Sequence, residues 1–76
     1  MLFDEIKEIL SSQLEIKEDE IELKSKLYDD LGADRLDMID IAMTIEDEYS
    51  TELPDEALDV IKTVEDLVEY IEERLD

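Results

Sequence analysis

Gly32 is the only glycine in the sequence, and it sits in Asp30-Leu31-Gly32-Ala33-Asp34-Arg35-Leu36-Asp37, where an irregular segment gives way to a helical pattern. A residue without a Cβ enters backbone conformations closed to the others, so the chain has its greatest freedom to turn here. Two residues on, Asp34 stands in good N-cap position. Its side-chain oxygen can accept from the free N–H groups of a first helical turn, and Asp37 adds a second anion at the same positive helix end. A helix is therefore predicted to begin at about Arg35.

A chain of 76 residues holds one small domain, taken here as 1–76, with a single modest core. It has no cysteine and no histidine, which removes disulfides, thiol nucleophiles and the usual zinc or imidazole sites. Any enzymatic chemistry would rest on carboxylates alone. No apolar run reaches the length of a membrane span, and the acidic N-terminus does not read as a signal peptide, so a cytoplasmic protein is expected. Asp and Glu number 26 against seven Lys and Arg, a formal net charge of −19. Each phosphate contact needs a cation, so nucleic acid and anionic lipid are disfavoured partners, and basic surfaces are favoured ones. The same repulsion favours a monomer.

Leu2, Phe3, Ile6, Ile9, Leu10 and Leu14 recur at helical spacing, which predicts an amphipathic helix over residues 2–14. From Glu15 to Asp34 that period is lost. Glu20-Ile21-Glu22-Leu23-Lys24 alternates as a strand would, but no second strand-like run is available to pair with it. The segment reads as a long ordered loop anchored by Ile16, Ile21, Leu23, Leu27 and Leu31.

The second helix, about Arg35 to Tyr49, carries two apolar stripes. Met38, Ile41, Ala42, Ile45 and Tyr49 share one face, which belongs to the core. Leu36, Ile39 and Met43 fall roughly opposite, bordered by Asp40 and Asp47 on one side and Glu46 on the other. Such a helix is either buried on both sides or shows one side to a partner, and a chain this short has too few elements to cover both. An apolar strip edged by carboxylates suits a groove with a basic rim: burial supplies affinity, and charge supplies orientation and on-rate.

Pro54 restricts Leu53 to extended backbone, Asp55 to Ile61 has room for only a short helix, and Thr63 to Asp66 reads as a capping box opening the last one. Val64, Leu67, Val68, Ile71 and Leu75 mark the inner face of that last helix, with Tyr70 at its flank. The result is an all-α fold, a small four-helix bundle of three long helices and one short, with a long first loop.

Leu31-Gly32-Ala33-Asp34-x-Leu36-Asp37, Glu46-x-Glu48-Tyr49 and Leu53-Pro54-Asp55 together resemble acyl carrier proteins, and the resemblance runs from Phe3 to the C-terminus. It implies a carrier of fatty-acyl or related intermediates. It also implies that Asp34, Leu36, Asp37, Ile39, Asp40, Met43, Glu46 and Asp47 dock on enzymes of fatty-acid-synthesis type and on a phosphopantetheinyl transferase. Leu53 and Asp55 either extend that surface or serve as a core anchor and a cap. The family attaches 4'-phosphopantetheine to the serine of Asp-Ser-Leu, but here the triplet is Asp34-Arg35-Leu36. Arginine offers only nitrogen donors, so no cofactor is expected on this chain. Arg35 opposes the dipole at its helix end, and Asp34 and Asp37 are expected to offset that. One base change turns a serine codon into an arginine codon, which leaves open a natural relative without the arm, an isolated variant or a deliberate replacement.

The alternative reading is a non-carrier interaction protein that regulates by occupying carrier docking sites. An acidic mimic of nucleic acid is argued against by Leu36, Ile39 and Met43, which phosphate mimicry does not need. An EF-hand starting at Asp29 or Asp30 is interrupted by Leu31 or Gly32 at its ligand positions. An enzyme is not expected, because no pair of carboxylates has a reason to be shifted from ordinary behaviour.

Overall fold

A computed structural model describes residues 1–75. It contains α1 (Leu2–Leu14), α2 (Arg35–Tyr49), α3 (Asp55–Val60) and α4 (Val64–Arg74), with one 3-10 turn at Glu18–Glu20. Ile6 and Leu10 of α1, Met38, Ile41, Ala42 and Ile45 of α2, Ala57 and Leu58 of α3, and Val64, Leu67, Val68 and Ile71 of α4 close one apolar core. The bundle is the expected all-α one, three long helices and one short. Among the described residues, no helix is long and apolar enough to cross a membrane.

Gly32 does turn the chain, at φ 75, and open space surrounds the position a Cβ would take, so the backbone rather than packing calls for glycine there. Around it, Asp30 and Leu31 donate to the Lys26 carbonyl and Ala33 donates to that of Leu27. The helix ends at Glu15 (φ 56) and Ser50 (φ 52) enter the same left-handed region without a glycine. At the first of these, the Ser11 carbonyl accepts from both Glu15 and Ile16, and the Ser11 hydroxyl donates back to the Ile16 carbonyl.

The first loop departs from the sequence reading in two respects. It does find a backbone partner, in the connection between α3 and α4: Leu27 donates to the Lys62 carbonyl at 2.9 Å, and Lys26 and Thr63 form an isolated antiparallel bridge. Leu23 is not an apolar anchor, being 40% exposed, since this stretch is held through its main chain, with Glu65 donating to the Leu23 carbonyl and Val64 to that of Ser25. Ile21 and Leu27 are buried as expected, and Ile16 and Leu31 pack partly against the core.

Thr63 and Asp66 form a reciprocal capping box at the start of α4. Leu75, assigned to the inner face, lies beyond the last helical residue in extended backbone and is exposed. The Asp66 carboxylate accepts from the Lys62 and Thr63 amides at 3.0 and 3.1 Å, and those bonds hold its pKa below the ordinary value. A lowered folded pKa gives stability that is complete above about pH 4, the unfolded value, and is lost as pH falls through the folded one. Asp66→Asn is therefore expected to be less stable than the parent at pH 7, with the gap narrowing steadily below about pH 4 in denaturant titrations; a gap independent of pH would contradict this origin.

Candidate functional site

The start of α2 is closed by two aspartates that cap each other. Asp37 N–H donates to Asp34 Oδ1 at 2.9 Å, and Asp34 N–H donates to Asp37 Oδ2 at 3.0 Å. Both carboxylates thus serve free N–H groups of the first turn, and Arg35 looks elsewhere for its counter-charge. Its guanidinium crosses to α3, where Nη1 donates to Asp59 Oδ1 at 2.9 Å and Nη2 to the Asp55 carbonyl at 3.2 Å. The offset expected from Asp34 and Asp37 is instead supplied by Asp59. The Tyr28 hydroxyl, then the Asp59 carboxylate, raise the Arg35 pKa above its ordinary value, and like any arginine the group is a cation with no lone pair to offer.

The buried face of α2 is Met38, Ile41, Ala42 and Ile45, with Tyr49 half-buried and its hydroxyl donating to Glu5 of α1 at 2.8 Å. Burial and Glu5 push the Tyr49 phenol up to about 12, so this tie between helices keeps its proton at any physiological pH. On the opposite side Leu36 and Met43 are 72% and 58% exposed. Ile39 does not join them as a displayed residue. At about 100° per residue it falls between Ala42 and Met43, and it packs partly against the core.

The acids of this surface divide in the same way. Asp40 and Asp47 are exposed. Glu46 is half-buried, and its Oε2 accepts from Leu53 N–H at 2.8 Å, which pins the turn after α2 and takes this carboxylate out of the free rim. Leu53 is only 3% exposed and therefore anchors the core rather than extending a docking surface, because its extended backbone before Pro54 directs it inward. Asp55 is exposed in the first turn of α3. Sequence reasoning missed three residues here: Asp59, which receives Arg35; Tyr28, next to it; and Val60, 68% exposed at the end of α3. Only a pairing across 24 positions would have signalled Asp59.

Among the described residues, no group of three or more potential ligands is arranged to hold a metal ion. A prosthetic arm joined through a hydroxyl oxygen does not fit at residue 35, where the group present is a charged guanidinium engaged with α3.

A profile for the phosphopantetheine attachment site matches residues 4–71. The chain is 49% identical over 72 residues to a protein from Clostridium perfringens named acyl carrier protein, covering 95% of each. Proteins of the same name from Wolinella succinogenes and Campylobacter lari are 44% and 38% identical over 71 residues, with 93% of this chain covered and 93% and 92% of theirs.

The split between free and engaged carboxylates is open to measurement. Glu46→Ala is expected to cost about 1.5 kcal/mol, because it strands the Leu53 N–H, whereas Asp47→Ala is expected to stay within about 0.5 kcal/mol of the parent. Equal losses in urea titrations of the two variants would show that Glu46 is an ordinary surface charge.

Proposed function

This chain belongs to the acyl carrier protein family, and from that premise we propose that it docks on enzymes of fatty-acid or related acyl synthesis through α2 while carrying no acyl group of its own. The observation that carries this reading is the combination of an exposed Leu36 and Met43, flanked by free Asp40 and Asp47, with Arg35 at the attachment position between capping aspartates. Attachment requires a side-chain oxygen that attacks phosphorus and releases a proton. A guanidinium, protonated at any physiological pH, has no electron pair for that step. The chain therefore meets a phosphopantetheinyl transferase as a surface and not as an acceptor. It is not an enzyme in this reading, and its place is the cytoplasm with its partners.

With Leu53 buried and Ile39 and Glu46 half-buried, the exposed surface is smaller than the sequence implied, but chemically the same. Leu36 and Met43 supply the apolar area, and Asp40 and Asp47 are complementary to lysines and arginines rimming a groove. A chain that docks and delivers nothing competes with primed carriers. Regulation by occupancy, the second reading, follows from the same residues.

In a condensation assay with a ketosynthase and an acyl-loaded carrier protein, an excess of this chain is expected to slow turnover by competition, and Leu36→Ser/Met43→Ser is expected to lose at least tenfold in inhibitory strength. Both residues are exposed, so the double variant should melt as the parent does. Equal inhibition by both proteins, or none by either, would count against docking through α2.

A further inference from the structure

α3 is the least self-sufficient element of the bundle. It spans only Asp55–Val60, its N-cap is Pro54 with no side-chain hydrogen bond, and no basic residue lies in its last turn. A helix this short does not hold in water by its own hydrogen bonds. Of its acids, Asp55 and Glu56 sit at the positive end, but Asp59 lies toward the end where the dipole disfavours an anion. On the inner side Ala57 and Leu58 are buried, with Leu53 before and Ile61 after. The outer side has Arg35.

The two nitrogens of Arg35 reach two levels of this helix. Nη2 takes the Asp55 carbonyl in the first turn, and Nη1 takes the Asp59 carboxylate four residues later, so a single planar group from the first residue of α2 spans a full turn of α3. It supplies the positive charge that α3 lacks and fastens α3 from the side the core does not touch. The guanidinium is a cation at any physiological pH, so the fastening is always charged.

We propose that Arg35 is a conformational bolt, holding α3 against the N-terminus of α2 in the position where relatives of this chain are expected to carry a serine. The residue that removes the attachment chemistry thereby takes on a structural task. Arg35→Ser undoes both at once: it restores a hydroxyl and frees α3. This holds whether or not the chain docks on any enzyme, because the bolt acts in the free protein.

Amide hydrogen exchange on the full chain tests it. Arg35→Met keeps an unbranched side chain but removes every donor, and the amides of Leu58 to Ile61 are expected to exchange roughly two- to fivefold faster in it, while those of α1 and α4 stay unchanged. Asp59→Asn is expected to accelerate the same amides. In the Arg35→Met background it is expected to cause no further acceleration, since the Arg35–Asp59 contact is already gone. The difference between Arg35→Met and the parent should shrink at 1 M salt. Unchanged α3 exchange in Arg35→Met, an equal acceleration in all four helices, or additive effects of the two substitutions would each overturn the bolt.

Discussion

Among the described residues, the core that joins Ile6 and Leu10 to Ile41, Ile45, Leu67 and Ile71 contains no buried polar or charged residue, and that exclusion sets the terms for the rest of the molecule. Every ionised group in a chain of charge −19 must find a place outside it. Burying an unpaired carboxylate would cost several kcal/mol, roughly what a domain of this size has in total. The helices consequently present one apolar face each to a common centre, and the long loop contributes Ile21 and Leu27 to the same centre.

The excluded acids are not all idle. Asp30 accepts from the Lys26 amide, Asp34 and Asp37 from each other's, Glu46 from that of Leu53, and Asp66 from those of Lys62 and Thr63. Each sits where the main chain leaves or enters a helix or turns sharply, with N–H groups lacking an internal partner. Carboxylates thus supply at the surface the acceptors that these free main-chain donors need. Some of the repulsion is offset locally in this way, and of the acids left free on α2, Asp40 and Asp47 border the displayed Leu36 and Met43.

The fold was legible because its signals were local. Helical spacing located the three long helices, Pro54 and the room left before Thr63 the short one, Gly32 marked the turn, and Asp34 and Thr63 marked the two best-capped starts. What the sequence did not show depends on pairings between distant residues. Leu23 looked like an anchor until the loop was seen to hold by its backbone to the start of α4. Ile39 matched a stripe by spacing, but the width of the buried face, which neighbours decide, drew it partly into the core. Glu46 read as a rim charge because nothing local reveals an acceptor for a backbone amide seven positions away. Arg35 stands where the resemblance places a serine, whereas its grip on Asp59 lies beyond any local pattern.

In the proposed reading, family scaffold and family chemistry separate at Arg35. The relatives at 38–49% identity share nearly the whole length, so the docking framework and the loss at one residue are claims about a single chain. Intact-mass spectrometry after incubation with coenzyme A and a broad-specificity phosphopantetheinyl transferase, run beside Arg35→Ser, tests both together. The parent mass is expected to stay unchanged and the variant to gain one phosphopantetheine arm. An arm on the parent would contradict it outright, and a variant that also stays bare would show that the surface recognised by the transferase has been lost along with the serine.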